Sequence, residues 1–195
     1  MESSTAEQKL GAVRLLGLDV DGVLTDGGIL MGSAKPPTGS GEMQEHFTCD
    51  LRRFDSRDGV GIKLLERAGI RVAVISGRRS LAVEQRCAEL GIEDVIQGTI
   101  RKVAAMKSLL KLHGLQPHEA AFVGDDLPDL PLMEFVGVGF AVADACPEVI
   151  DGADIVLRHG GGRGAVREAA EYILKAQGRW DAMLRVLRSE SDKDD

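Results

Sequence analysis

At 195 residues with 44% apolar content, the chain is long enough to bury one good core, and nothing in it calls for a second large domain. A formal charge of −7 and a pI near 5.2 argue against a nucleic-acid partner, so an anionic ligand has to be held by local charge rather than by the overall field. There is no secretory apolar segment and no stretch long enough to span a membrane, which predicts a cytoplasmic protein. Its cysteines, Cys49, Cys87 and Cys146, read as reduced thiols, and His46, His113, His118 and His159 form no i, i+4 pair suited to zinc.

The apolar run from Val13 to Leu18 reads as a buried strand and ends in Asp19-Val20-Asp21-Gly22-Val23-Leu24-Thr25-Asp26. Side chains alternate along a strand, so Asp19 and Asp21 point to one side at its carboxyl end, where open α/β sheets bind ligands. Gly22 lets the backbone turn away and leaves amides free to face an anion. Two carboxylates this close repel each other unless a metal or a proton stands between them. Between Asp26 and Asp58 the pattern predicts a hairpin, Gly28–Met31 and Glu45–Thr48, joined by the Gly/Pro/Ser-rich stretch from Gly32 to Gly41. A lone hairpin is marginal in water, so it is expected to pack against a neighbouring subunit.

Val72 to Ile75 is a second β-branched run, ending in Ser76-Gly77-Arg78-Arg79 ahead of a helical pattern from Leu81 to Leu90. A hydroxyl followed by glycine at a helix start offers a phosphate one side-chain donor plus amides; Ser76 would serve equally as a helix cap. Lys102 lies near the start of the helical stretch Ile100 to His113. The apolar run Ala120 to Val123 leads into Gly124-Asp125-Asp126-Leu127-Pro128-Asp129, where Asp126 and Asp129 singly read as a solvated acidic turn. Further helical patterns cover Leu127–Phe135 and Ala165–Gln177, the latter preceded by a Gly-rich stretch, Gly160 to Gly164, that carries Arg163. The acidic tail from Ser189 to Asp195 is expected to be disordered. Strands alternating with helices predict a single α/β domain over 1–195: a doubly wound, Rossmann-like parallel sheet with helices on both faces and a protruding β-hairpin flap.

Read in order, DxDGxLTD, Ser76 after its strand, Lys102 and GDDxxD resemble the four motifs of the haloacid dehalogenase-like phosphatases. The resemblance implies that Asp19 is the nucleophile, Asp21 the general acid and base, Ser76 a phosphoryl ligand, and Lys102 the charge that neutralises nucleophile and phosphate. It also implies Mg²⁺ held by Asp19, by Asp21 through its backbone carbonyl, and by Asp125. The chemistry suits these residue types. An acyl phosphate has a good carboxylate leaving group, so one difficult hydrolysis becomes two easier steps.

Only one helix–strand unit separates Ser76 from Lys102, which leaves no room for a cap domain. Capless chains with a hairpin resemble most closely the tetrameric 3-deoxy-D-manno-octulosonate 8-phosphate phosphatases of lipopolysaccharide synthesis. The strings DVDGVLTDG, SRDGVGIK, ISGRRS, EQRCAELGI, VGDDLPDLPLM, AVADA and GGRGAVRE carry this resemblance from Leu15 to Gly178. It implies a homotetramer whose neighbouring subunits close each active site. It further implies sugar-phosphate contacts at Asp21, Asp55, Ser56, Arg57, Asp58, Gly59, Lys63, Gly77, Arg78, Arg86 and Lys102. Arg78 and Arg163 distinguish this group from phosphatases of nine-carbon sugar-acid 9-phosphates, which tend to carry Glu at the first position. A catalytically silent tetramerisation domain is the reading from another class, and the intact set Asp19, Asp21, Lys102 and Asp125 speaks against it.

Overall fold

The structure is a computed structural model that describes residues 8–30 and 50–191. Six parallel strands form one sheet in the order β3-β2-β1-β4-β5-β6: β1 is Leu15–Leu18, β2 Arg71–Ser76, β3 Asp94–Gln97, β4 Ala120–Gly124, β5 Val138–Ala141 and β6 Ile155–Val156. The three central strands are apolar along their length because helices cover both faces of the sheet, which removes the need for alternation. Leu18 lies opposite both Val74 of β2 and Val123 of β4, so the three strands end level with one another.

Helices α1 (Ser56–Arg67), α2 (Leu81–Leu90), α3 (Lys102–His113), α4 (Leu130–Phe135), α5 (Pro147–Gly152), α6 (Ala165–Ala176) and α7 (Trp180–Ser191) connect and follow the strands. Right-handed crossovers put α1 and α2 on one face and α3 and α4 on the other, because the strand order reverses after β3. α6 packs along α1 on the first face, with α7 beside it. The core is continuous through the sheet, with Phe122, Phe140, Leu16, Ile75 and Met106 fully buried. Reversal of strand order opens a crevice outside the carboxyl ends of β1 and β4, the position at which doubly wound sheets bind ligands.

The expected doubly wound sheet and the absence of an inserted cap are observed: α2 and β3 alone stand between Ser76 and Lys102. Three helices go beyond the periodic patterns. α1 contains two glycines and reads poorly by propensity, yet Gly61 admits the backbone of Arg167 so closely that a Cβ there would come within 2.8 Å of its Cα. α5 is a short, proline-started turn. α7 seats Trp180, Met183 and Leu187 against the core and carries helix through Ser191, past the expected start of the disordered tail at Ser189. The pattern Leu127–Phe135 divides into a 3₁₀ turn, Leu127–Asp129, and α4, since Asp126 caps the first segment and prolines open both. Most of the predicted hairpin, from Met31 through Cys49, lies outside the described residues. Gly28, Ile29 and Leu30 at the start of the first leg form no strand, and outside the predicted hairpin Thr25 and Phe54 make an isolated antiparallel bridge.

Candidate active site

Asp19 follows β1 directly, and its N–H donates to the Val123 carbonyl at 3.1 Å, which carries the strand register one residue past the sheet. The chain then makes a wide turn from Val20 to Leu24, closed where the Thr25 N–H and Oγ1 both donate to the Val20 carbonyl at 3.0 and 3.1 Å. Gly22 sits at φ +94°, and a Cβ there would lie 2.0 Å from Asp125 Oδ2. Only glycine permits both the backbone conformation and the approach of the second acidic loop.

A further loop locks this turn from behind. Gly161 and Gly162 lie against it so tightly that a Cβ on Gly161 would meet the Gly22 carbonyl oxygen at 1.8 Å. The Gly162 N–H donates to the Val23 carbonyl at 2.9 Å, and Asp144 Oδ1 accepts from the Gly161 N–H at 2.9 Å. The sequence marks the Gly-rich stretch but says nothing of what it touches.

Lys102 opens α3 and is buried. Its Nζ stands 2.8 Å from Asp19 Oδ1 and 2.7 Å from Asp129 Oδ1. Burial works against its charge, but the two carboxylates outweigh that and hold the ammonium above its usual range. Asp129 is 1% exposed, and its other oxygen accepts from the Asp125 N–H at 3.0 Å. The residue that read as a solvated turn is therefore the post that joins Lys102 to the β4 loop. Its signal in the sequence was the i, i+3 spacing from Asp126 across a proline-containing turn.

Asp19, Asp125 and Asp129 bring carboxylate oxygens within 4.8 Å of one another. Burial first, then the charge of Asp129, pushes the Asp19 carboxyl up to about 6 against the opposing pull of Lys102. Asp125 rises to about 8, through burial and then through repulsion from Asp19, Asp129 and Asp126. Its Oδ1 is buried with no hydrogen-bond partner. A buried, unpartnered carboxylate oxygen beside two other carboxylates fits a hard divalent cation such as Mg²⁺. Both oxygens of Asp129 are already engaged, so Asp19 and Asp125 are the side chains suited to ligate.

Asp21 lines the same cleft, as the alternation predicts, but its carboxylate turns away from the acidic cluster toward cations. Arg52 Nη1 lies 3.1 Å from Oδ1, and Arg78 Nε lies 3.5 Å from Oδ2. Its side chain thus takes no place among the clustered carboxylates. The cleft, about 430 Å³ in volume, is lined by Asp19, Asp21, Ser76, Arg78, Lys102 and Asp125 among others, with Gly77 at its edge. Ser76 closes β2 and is buried, its Oγ accepting from the Arg78 N–H at 3.3 Å.

The other expected contacts gather around α1, outside this cleft. Asp55 caps α1 by accepting from the Arg57 N–H at 2.8 Å and pairs with the Arg57 guanidinium. Arg57 Nη2 donates to the Arg163 carbonyl at 2.7 Å. Asp58, buried, accepts from the N–H groups of Gly164 and Arg167 at 3.3 and 2.8 Å and so caps α6 from across the domain. Lys63 donates to the Leu90 carbonyl and pairs with Glu66, while Arg86 pairs with Glu89 and stands 5.9 Å over the Phe54 ring. Ser56, Gly59, Lys63 and Arg86 line a second depression of about 400 Å³ between α1 and α2.

Comparison with known proteins accounts for this arrangement. Residues 90–167 match the haloacid dehalogenase-like hydrolase family. Over 179 residues the chain is 46% identical to the 3-deoxy-D-manno-octulosonate 8-phosphate phosphatase KdsC of Escherichia coli, covering 92% of this chain and 88% of that protein. The chain belongs to this phosphatase family. Among solved structures, the 3-deoxy-D-manno-octulosonate 8-phosphate phosphatase of Yersinia pestis is similar with a TM-score of 0.81 and 41% identity, over 91% of this chain and 89% of that one. That of Moraxella catarrhalis, in complex with magnesium ion, phosphate ion and KDO, has a TM-score of 0.84 and 37% identity over 93% and 97% of the two chains. Membership of the 3-deoxy-D-manno-octulosonate 8-phosphate phosphatase family agrees with the capless parallel sheet. No helix among the described residues is long and apolar enough to cross a membrane.

Proposed function

We propose that the protein hydrolyses 3-deoxy-D-manno-octulosonate 8-phosphate to the free sugar acid and phosphate through a phospho-Asp19 intermediate, as a Mg²⁺-dependent step of lipopolysaccharide biosynthesis. The observation that carries this reading is the buried Asp19 carboxylate, 2.8 Å from Lys102, sharing one cleft with a second carboxylate, Asp21, that belongs to a different charge network. Separate environments for two acids suit separate roles. Asp19 Oδ attacks phosphorus while the bond from phosphorus to the sugar oxygen breaks, and Asp21 gives that oxygen a proton. Water then loses a proton to Asp21 and attacks phosphorus, so that the bond to Asp19 breaks and phosphate leaves. A positioned acid of this kind is worth about 10²–10⁴ in rate. Lys102 keeps Asp19 oriented and adds positive charge beside the transferring group. Ser76 and the amides after it offer donors to the phosphoryl oxygens. Asp19, Asp125 and the Asp21 carbonyl would hold Mg²⁺, which when bound would supply charge to offset repulsion between a carboxylate and a phosphate dianion.

The finer reading is a cytoplasmic homotetramer in which neighbours close each cleft. Two features support it. The mouth of the cleft carries exposed apolar side chains, Ile29, Leu30, Ile100 and Leu127, of which Ile100 is 87% exposed. The basic groups Lys63 and Arg86 lie outside the cleft of their own chain, in a separate depression that a neighbouring copy could reach. Arg78 in the cleft favours the eight-carbon substrate over a nine-carbon 9-phosphate.

Phosphate release with Mg²⁺ from the eight-carbon 8-phosphate, a nine-carbon 9-phosphate and an aryl phosphate tests the reading. Strong preference for the first is expected. Asp19→Asn should abolish turnover with an unchanged thermal unfolding profile, and normal turnover in that variant would overturn the covalent mechanism.

A further inference from the structure

Arg52 was not among the residues singled out by any motif, yet among the described residues it is the cation closest to the proposed general acid. It lies on the extended segment that leads into α1. Along this segment side chains alternate: Leu51 and Arg53 face solvent, while Arg52 and Phe54 face inward. The Arg52 side chain is 7% exposed. Its fork makes three contacts in three directions. Nη1 lies 3.1 Å from Asp21 Oδ1, Nε lies 3.3 Å from Asp50 Oδ1, and Nη1 also donates to the Gly28 carbonyl at 3.5 Å. The two carboxylate contacts are ion pairs rather than aligned hydrogen bonds. Asp50 is anchored in turn: its Oδ2 accepts from Ser80 Oγ at 2.5 Å, and Ser80 is the buried N-cap of α2. A chain of contacts thus runs from the start of α2 through Asp50 and Arg52 to Asp21.

Arg78 touches Asp21 as well, but it differs in kind. Its side chain is 60% exposed, its Nε stands 3.5 Å away, and among the described residues no third group braces it. Arg78 is placed to turn toward an anionic substrate; Arg52 is not.

Resting on the phosphatase reading above, we propose that Arg52, held by Asp50, is the positioning residue for Asp21, fixing the carboxyl group at the place where the leaving sugar oxygen takes its proton. Its planar fork explains the residue type. A lysine has one compact ammonium, whereas the guanidinium spreads its charge over separate nitrogens that stand near Asp21 and Asp50 at once. Arg52 acts through Asp21 and not on the phosphoryl group. Its contribution to the first step therefore depends on how much the leaving group needs a proton, while any contribution to attack by water is common to both substrates.

The experiment compares unmodified protein, Arg52→Ala, Arg52→Lys and Asp50→Asn, with Mg²⁺, on the sugar 8-phosphate and on 4-nitrophenyl phosphate. An aryl oxide leaves with little help from an acid, whereas a sugar alkoxide does not. For Arg52→Ala, kcat on the sugar phosphate is expected to fall about 10–10²-fold, part of what an acid contributes. KM should change little, and the initial burst of nitrophenolate, which reports formation of phospho-Asp19, should persist. Arg52→Lys and Asp50→Asn should show the same selectivity at smaller size. In a chain already carrying Asp21→Asn, adding Arg52→Ala should cost almost nothing further, as expected when one residue acts through the other. A higher KM with unchanged kcat would mean that Arg52 binds substrate directly, and equal losses in burst and in sugar-phosphate turnover would mean a merely structural role. Either result overturns the proposal, as does full additivity with Asp21→Asn. Absence of sugar-phosphate turnover in the unmodified protein would overturn the phosphatase reading itself, a result distinct from all of these.

Discussion

At Asp125 two demands conflict. The residue sits half-buried just past the end of β4 among Asp19, Asp126 and Asp129, where an ionised carboxylate is unfavourable, yet ligation of a cation needs it ionised. Without metal the conflict is resolved by a proton. Asp125 is pushed from 3.8 to about 8, and Asp19 to about 6. The folded chain then holds protons that the unfolded chain releases as pH rises from 3.8 toward about 8, so these groups make the metal-free fold less stable across that window. A Mg²⁺ ion held by these carboxylates would compete with the protons, so its binding should strengthen as pH rises. Thermal unfolding of chelator-treated protein should show a melting temperature that falls with pH through this window and a Mg²⁺-induced increase that grows with it. A Mg²⁺ effect independent of pH would contradict the assignment of these carboxylates as the metal site.

At the scale of elements, the site depends on contacts between segments far apart in the chain. Asp58 on α1 caps α6, taking the N–H groups of Gly164 and Arg167, and burial raises its carboxyl above the usual range despite those bonds. Asp58→Ala should therefore lower stability by about 1–2 kcal/mol, the usual worth of a helix cap, as read by urea unfolding. Because Asp58 faces α6, its loss should move KM less than it moves stability; a large KM increase in a protein of normal stability would make it a substrate contact instead. The Gly160–Gly164 loop, which this cap positions, presses on the nucleophile turn. Gly161→Ala, whose Cβ would meet the Gly22 carbonyl oxygen at 1.8 Å, is expected to cost about 1–3 kcal/mol and most of the activity. Retained activity would show that the turn tolerates displacement.

For the molecule as a whole, the described residues of one chain leave the cleft open beside Ile29 and Ile100, and the basic side chains Lys63 and Arg86 face a different depression. A tetramer would cover the first and use the second. Sedimentation at rising protein concentration should reach a species of four chains, and introduction of a charge at Ile100, as Ile100→Asp, should shift it toward smaller species. A protein that stays monomeric while fully active would refute closure by neighbours.

The sequence by itself determined the chemistry-bearing residues and their order. The apolar runs ending at Leu18, Ile75 and Val123 were legible because buried parallel strands read that way, and the structure carries the second and third one residue further, to Ser76 and Gly124. Asp19, Asp21 and Asp125 were singled out beside those ends, and Lys102 through the order of motifs in the family resemblance. What only the tertiary structure decided is which groups answer them. Asp129 on Lys102, Arg52 on Asp21, Asp58 on α6 and Asp144 on the Gly161 loop are contacts across long stretches of chain. Such pairings leave no periodicity, since each is a single charged side chain whose role is set by burial and by what folds against it.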